Sequence, residues 1–286
     1  MSARRYDAGP YGRRGTASRS AFLVVSLAVW ALTLGGRLRR RGAVVLCYHS
    51  VRDHERERFA KQMRMIGRRG IAIDRINAAA AWGRPRVVVT FDDAFECLIE
   101  NALPALEASG VPASVFAVTE ASGKRPLWTM PAEHPEKDLA IMSDGQLRQI
   151  DARPSVRVGS HTLTHPRLSE LPDDALRREL VGSKARLEDL LGREVDDLAY
   201  PHGDHSERVD AAAEAAGYRR LLTLEPRVER GERGRPLGRF IMDPGASALE
   251  FRLTIDGAYA WLGALRRLRS ERRTRTTATG MREATA

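Results

Sequence analysis

The chain has 286 residues, of which 43% are hydrophobic, so it is long enough for one large folded domain or two small ones. Its two cysteines, Cys47 and Cys97, are too few for a disulfide framework, and their apolar surroundings indicate two buried thiols. The formal net charge of +10 would suit a nucleic-acid-binding protein. That class is disfavoured by where the charge lies along the chain.

The positive charge is concentrated at the two ends. Residues 1–42 carry nine arginines and one aspartate, and residues 263–286 carry seven arginines and two glutamates. The middle segment, residues 43–262, has a net charge of −3. Basic tails more often meet anionic lipid or stay solvated than read bases, so we expect no nucleic-acid partner.

An uncharged apolar run occupies residues 21–36, between two groups of arginines. It is about 16 residues long, whereas a full membrane span needs roughly 20. No small-residue cleavage site follows it, which argues against a cleaved signal peptide. We expect residues 21–42 to be a short anchor or a membrane-surface helix, and the alternative is a helix packed against the domain. Residues 1–20 and 263–286 are expected to be disordered.

Residues 43–262 alternate strand and helix signals. Apolar, β-branched runs predict strands at 43–48, 86–90, 113–118, 156–158, 198–200, 221–224 and 239–242. Helices are predicted at 94–109, 173–191 and 207–216, each followed by a glycine. This alternation is typical of a parallel sheet covered by helices, either a barrel or a doubly wound sheet. In both architectures, functional residues collect at the carboxyl ends of the strands.

Two adjacent carboxylates, Asp92 and Asp93, follow the predicted strand 86–90. Such a pair leaving a buried strand is costly unless a metal ion or hydrogen bonds satisfy it. One carboxylate can bind a metal ion while the other takes a proton from water. The alternative is that the pair caps the following helix.

Two histidines, His161 and His165, lie four residues apart after another predicted strand and a glycine. Neutral imidazoles suit zinc and other first-row divalent ions. With one carboxylate they would leave coordination positions open for water and substrate, as in catalytic sites. The alternative is a pair of solvated loop histidines.

A third segment, Tyr200-Pro201-His202-Gly203, ends the predicted strand 198–200. Backbone N–H groups at such a turn can hold an oxyanion, although an ordinary turn would have the same pattern. The residues alone therefore indicate a metal-assisted hydrolase with no named substrate.

The order and spacing of these motifs resemble the polysaccharide deacetylase (NodB-homology) family, carbohydrate esterase family 4. Residues 90–93 match its first motif, residues 160–165 match its second, and residues 200–203 are similar to its third. The resemblance covers roughly residues 43–245 and has further support at residues 47–51, 59–62, 111–116 and Trp128.

The resemblance implies a distorted (β/α) barrel of about seven strands over residues 43–262. It implies a hydrolase, acting on carbon–nitrogen bonds other than peptide bonds, that removes N-acetyl groups from a glycan and releases acetate. The matching positions make Asp92 the general base and give Tyr200 an oxyanion-binding backbone N–H. They make Asp93, His161 and His165 the ligands of one divalent ion, with zinc expected and cobalt, nickel or manganese as alternatives. We expect the domain to be membrane-associated and extracytoplasmic.

Two departures from the family pattern concern catalysis. The arginine that normally orients the base is replaced by Ala199, and no histidine follows His205 to act as the usual general acid. Arg239 is a candidate for the missing arginine. His49, at the end of the first predicted strand, is the leading candidate for the acid, ahead of His202 and His205. The alternative functions are a catalytically weakened glycan-binding descendant and a basic membrane or nucleic-acid adaptor.

Overall fold

The computed structural model describes residues 16–32, 42–76, 85–230 and 234–265. One parallel sheet contains the strands β1 (Ala43–Tyr48), β2 (Arg86–Phe91), β3 (Ala113–Ala117), β4 (Val156–Ser160), β5 (Asp197–Ala199), β6 (Arg220–Thr223), β7 (Leu237–Gly238) and β8 (Phe240–Ile241). The helices that accompany it are α1 (Thr16–Leu32), α2 (Arg56–Ile66), α3 (Leu98–Asn101), α4 (Leu103–Ser109), α5 (Asp144–Asp151), α6 (Asp173–Leu191), α7 (Glu207–Ala215) and α8 (Ala248–Ile255).

The sheet curls into a nearly closed barrel through one short segment. The strand order is β7-β6-β5-β4-β3-β2-β1-β8, so β7 and β8 lie at opposite edges of the sheet. A single residue, Arg239, separates these two strands in the chain. Residues 237–241 therefore pair with β6 through one half and with β1 through the other. The predicted barrel is confirmed, and the doubly wound alternative is wrong. Because β7 and β8 are two halves of one segment, this segment occupies the seventh strand position of the barrel.

Apolar side chains fill the barrel and separate it from the helices. Val45, Val88, Phe116 and Leu222 form a cluster inside the barrel, together with residues 71–76 at the end where the strands begin. A larger core lies between the outer face of the strands and the surrounding helices. This packing leaves the carboxyl ends of the strands as the open end of the barrel, where we expect the functional residues.

The predicted helix 94–109 is replaced by a non-helical turn and two shorter helices. Asp93 and Ala94 have φ angles of 68° and 54°, which are incompatible with a right-handed helix. The chain therefore becomes helical only at Leu98, and a further break at Ala102 separates α3 from α4. The alternative in which the two carboxylates cap this predicted helix is also wrong for that reason.

The N-terminal helix packs against the domain. Trp30 Nε1 donates a hydrogen bond to Asp256 Oδ2 over 3.2 Å, and Trp261 Nε1 donates one to Ser26 Oγ over 3.0 Å. The rings of Phe22 and Trp261 also meet edge to face. Of the helices the structure describes, none is long and apolar enough to cross a membrane. Residues 16–20 and 263–265 are helical, so the expected disorder is wrong there. The rest of the two expected tails, residues 1–15 and 266–286, and residues 33–41 of the expected anchor segment lie outside the described residues.

Candidate active site

Asp92 and Arg239 form a two-point ion pair in the mouth of the barrel. Arg239 Nη1 donates to Asp92 Oδ1 over 2.6 Å, and Nη2 donates to Oδ2 over 2.8 Å. Both side chains are fully buried. Burial alone would raise the pKa of Asp92, but the adjacent guanidinium holds that pKa below its usual range. Asp92 is therefore ionised and fixed in one orientation at neutral pH.

Further contacts position the Arg239 guanidinium. It lies over the ring of Phe116, 5.7 Å from the ring centroid, and its Nε donates to the carbonyl oxygen of Thr223 over 3.3 Å. Gly159 on β4 makes room for that ring, since a Cβ there would lie only 2.7 Å from Phe116. The arginine expected to replace the family's usual one thus contacts Asp92 directly.

Asp93, His161 and His165 meet beside this ion pair. The Nε2 atoms of the two histidines each lie 3.6 Å from Asp93 Oδ1. One ligand atom from each residue lies within 4.8 Å of the other two, and all three residues are buried. The sequence-predicted ligands are therefore brought together by the carboxyl ends of β2 and β4.

The chemistry of this cluster fits a divalent cation. Both carboxylate oxygens of Asp93 are buried and have no hydrogen-bond partner among the described residues, which would be costly for an ionised group. Burial and the neighbouring charge of Asp92 raise the pKa of Asp93 above its usual value. Burial lowers the pKa of His161 to about 4 and that of His165 well below its usual value. A cation would satisfy the carboxylate and use the neutral imidazoles as ligands.

The orientation of the two candidate histidine ligands is set by contacts on the side away from Asp93. His161 Nδ1 lies 2.7 Å from the carbonyl oxygen of Ala199, which favours a proton on Nδ1 and a lone pair on Nε2. The carboxylate of Glu179 on α6 accepts hydrogen bonds from the backbone N–H groups of Leu163 and Thr164, over 2.9 and 3.0 Å. It also accepts a hydrogen bond from Thr164 Oγ1. This carboxylate fixes the loop that separates His161 from His165.

Backbone strain is concentrated at the same place. In the described part of the chain, every non-glycine residue with a positive φ belongs to one of the three sequence motifs or directly follows one: Asp93, Ala94, Thr162, His165 and His202. Such angles cost free energy and persist where surrounding contacts enforce them, commonly at functional sites. The strained loops therefore mark this cluster independently of its side chains.

His49 and Cys47 approach Asp92 from β1. One ligand atom each of Cys47, His49 and Asp92 lies within 4.8 Å of the other two. Cys47 is buried as predicted, and its Sγ donates a hydrogen bond to Asp92 Oδ2 over 3.3 Å, a contact that its apolar surroundings in the sequence did not reveal. Cys97 is only partly buried. His49 is half-buried and lies beside Asp92.

The oxyanion role expected for Tyr200 is not supported by its contacts. Its backbone N–H donates to the carbonyl oxygen of Leu222 over 3.0 Å, as part of the pairing with β6. Its hydroxyl donates to Asp210 Oδ1 over 2.7 Å, and its ring stacks on His205. These groups are engaged within the fold, so the Tyr200 N–H is not available to bind an oxyanion.

Aromatic rings enclose the candidate ligand His165. Trp128 stacks on it with ring centroids 4.3 Å apart, and His202 meets it edge to face at 4.6 Å. The loop that carries Trp128 is held down by Glu136, whose carboxylate accepts hydrogen bonds from the backbone N–H and hydroxyl of Ser50. The sequence indicated Trp128 and His202 but not Glu136, which lies in a polar stretch without a motif.

Comparison with known proteins agrees with this geometry. Residues 80–221 match the family model described as polysaccharide deacetylase, a range that contains Asp92, Asp93 and the two candidate histidine ligands. The chain belongs to the polysaccharide deacetylase family. His49 and Arg239 lie outside the matched range, so their place in the site of this deacetylase-family chain comes from the structure.

The polysaccharide deacetylase homologue YxkH of Bacillus subtilis (strain 168) is 26% identical over 174 residues. The alignment covers 60% of this chain and 55% of YxkH, so the chain spans about half the length of that relative.

Solved structures share the barrel. IcaB from Ammonifex degensii superposes with a TM-score of 0.63 at 23% identity, covering 77% of this chain and 97% of IcaB. The deacetylase PplD of Streptococcus pyogenes, in complex with acetate, superposes with a TM-score of 0.61 at 19% identity, covering 76% of this chain and 98% of PplD. At these identities the similarity establishes the fold.

Proposed function

We propose that this chain is a metal-dependent hydrolase that removes N-acetyl groups from an N-acetylated glycan and releases acetate. The observation that carries the proposal is the buried Asp92–Arg239 ion pair lying against the Asp93-His161-His165 cluster. His161 Nε2 is 3.8 Å from Asp92 Oδ2, so the proposed base and the proposed ligands face one small volume. Family membership and the acetate bound to the related PplD support the same chemistry.

The proposed cation would be held by two neutral imidazoles and one carboxylate. When bound, it would act as a Lewis acid on the acyl oxygen and on the attacking water. This mixed nitrogen and oxygen ligand set suits zinc, and cobalt, nickel or manganese are alternatives.

Asp92 acts as the general base in this proposal. Its carboxylate accepts a proton from the water that attacks the acyl carbon. Arg239 and Cys47 both donate hydrogen bonds to that carboxylate and fix its direction. The ion pair also keeps Asp92 deprotonated before the reaction, so it is ready to accept a proton.

His49 is the proposed general acid. Cleavage of the carbon–nitrogen bond leaves an amine that must take up a proton to depart. A protonated His49 in the cleft beside Asp92 can supply that proton to the amine nitrogen. The products are acetate and the free amino sugar, and Asp92, protonated in the first step, is the alternative donor.

Acetate release from a panel of N-acetylated glycans tests this function. The panel includes peptidoglycan fragments, chitin-like oligomers and N-acetylated exopolysaccharide, each assayed with and without a chelator. We expect acetate release from at least one polymer, its loss after chelation, and its recovery when zinc or cobalt is added. Glycan binding without acetate release under every metal condition would instead identify a glycan-binding descendant of the fold.

A further inference from the structure

The N-terminal helix α1 has two faces in different environments. Its inner face packs on the domain and contains Ser26, the only polar residue between positions 21 and 32. Within residues 21–32, every exposed side chain is apolar. These residues are called the outer face of α1: Ala21, Val24, Val25, Leu27, Ala28, Ala31 and Leu32. Val24 and Leu32 are 65% and 79% exposed. A surface helix normally turns polar residues toward solvent, whereas this helix turns apolar residues toward solvent.

The helix lies at the end of the barrel opposite the candidate active site. Trp30 contacts Asp256, and Asp256 is also bound by Arg69 Nη1 over 2.9 Å. Arg69 in turn donates from Nε to the carbonyl oxygen of Pro85, which directly precedes β2. These contacts join α1 to the amino ends of the strands. The proposed catalytic residues follow the carboxyl ends of the same strands.

The charges nearest this helix along the chain are positive. Residues 1–20 and residues 33–42 flank α1, and each segment has a net charge of +4. Residues 266–286 have a net charge of +5, and they follow the helical turn 261–265, whose Trp261 contacts α1. In contrast, residues 43–262 have a net charge of −3. The apolar outer face is therefore bordered in sequence by basic segments, while the rest of the domain is slightly acidic.

We propose that the outer face of α1 is a membrane-contact surface that rests on an anionic bilayer and directs the mouth of the barrel away from the lipid. An apolar face flanked by arginines is the arrangement that binds in the plane of a lipid interface without crossing it. A second copy is a poorer occupant, because its own basic flanks would repel these. The membrane contact itself does not depend on the proposed function. One consequence rests on that function: with the barrel mouth turned away from the lipid, the substrate would be a polymer that extends away from the membrane.

Sedimentation with vesicles tests the contact. The full chain is mixed with vesicles of phosphatidylcholine containing about one third phosphatidylglycerol, and with phosphatidylcholine alone. We expect binding to the anionic vesicles that weakens with added salt. The double variant Val24→Asp/Leu27→Asp should bind at least about tenfold more weakly. The matched control Val181→Asp/Leu249→Asp changes two exposed apolar residues elsewhere and should bind normally.

If the Val24→Asp/Leu27→Asp variant bound anionic vesicles as tightly as the unchanged protein, the proposal would be overturned. It would also be overturned by a self-associated chain in sedimentation analysis that the Val24→Asp/Leu27→Asp variant converts to a monomer, since a second copy would then cover the face. Thermal unfolding of each variant shows whether the domain is still folded, and a single variant, Ala28→Asp, repeats the test with less change to the helix.

Fluorescent probes test the orientation. Two variants are made in a Cys97→Ser background, and each carries one probe. The probe is attached at Ala28→Cys in the first variant and at Arg125→Cys in the second. Arg125 is an exposed position on the loop beside the candidate active site. Brominated lipids should quench the first probe and leave the second unchanged. Quenching at Arg125 would overturn the orientation, and no quenching at Ala28 would overturn the contact. These measurements need no substrate, so they are independent of whether acetate is released.

Discussion

Asp92 and Arg239 lie 147 residues apart in the chain and form a two-point ion pair inside the barrel. Asp92 follows β2, and Arg239 is the single residue between β7 and β8. The residue that closes the barrel is therefore also the one that orients the proposed base. Backbone pairing on either side of Arg239 closes the barrel, while the side chain of the same residue sets the geometry of the site.

Replacing Arg239 with lysine should separate charge from geometry. A lysine keeps the positive charge but cannot donate to both carboxylate oxygens in the fixed geometry of a guanidinium. For Arg239→Lys we expect kcat to fall by about 10- to 100-fold, with a metal content close to that of the unchanged protein. Steady-state acetate release and metal analysis measure the two quantities.

The matched control is Arg193→Lys. Arg193 also pairs through two nitrogen atoms with a carboxylate, that of Asp151, away from the candidate site. This variant should change stability without changing kcat. A kcat for Arg239→Lys within about threefold of the unchanged protein would contradict the positioning role of Arg239.

The sequence predicted those parts of the site that are local in the chain. Asp92, Asp93, His161 and His165 follow strands that could be recognised from short apolar runs, and parallel strands bring their carboxyl ends together. Contacts set by the closure of the barrel could not be derived in this way. The link between Arg239 and Asp92 could be suggested but not shown, because it depends on where the sheet closes.

Two errors have a common origin in local backbone geometry. The helix predicted from residue 94 fails because Asp93 and Ala94 adopt positive φ angles, which composition does not reveal. The oxyanion role of Tyr200 fails because its N–H is already used in the pairing with β6. Hydrophobic periodicity identifies which elements exist, but it does not show which backbone groups stay available for chemistry.

Removing the proposed ligands should remove the metal ion. His161→Ala and Asp93→Ala each delete one of three protein ligands, so we expect both metal content and activity to be lost. Metal analysis of dialysed protein measures the first, and acetate release measures the second. His54→Ala is the control, because His54 is an exposed histidine distant from the cluster in the chain. About one ion per chain retained in the Asp93→Ala/His161→Ala double variant would reject this ligand set.

Asp92→Asn should lower the rate without removing the metal ion. The amide preserves the shape of the side chain but cannot accept the proton, and general-base catalysis is worth about 10²–10⁴-fold. The change also leaves the buried Arg239 guanidinium unpaired, a loss of about 3–5 kcal/mol in the free energy of unfolding. Assays are therefore run well below the unfolding temperature of the variant. Asp151→Asn, which unpairs Arg193, controls for the loss of an ion pair. A kcat for Asp92→Asn within about threefold of that of the unchanged protein would argue against the role of Asp92 as base.

Glu179→Ala should weaken metal binding indirectly, by loosening the loop that positions the proposed ligands. The Glu179 carboxylate holds the backbone of the loop between His161 and His165, and groups that orient metal ligands are typically worth about 10- to 100-fold in affinity. The affinity is measured by titrating zinc into protein from which a chelator has removed the metal ion. Glu188→Ala is the matched control, since Glu188 lies on the same helix and also accepts a backbone N–H, that of Val195. Equal zinc affinities for the two variants would show that the loop does not need this support.

His49→Gln should alter the pH dependence of the reaction as well as its rate. If His49 donates the proton to the leaving amine, it must be protonated, so activity should fall as rising pH removes that proton. This gives the pH–rate profile an alkaline limb, which His49→Gln should abolish while lowering kcat and leaving the metal content intact. His205→Gln is the control, because His205 pairs with Asp210 and stacks on Tyr200 and should leave the limb in place. An alkaline limb that persists unchanged in His49→Gln would exclude His49 as the acid, and Asp92, protonated when water attacks, would then serve as base and acid in turn.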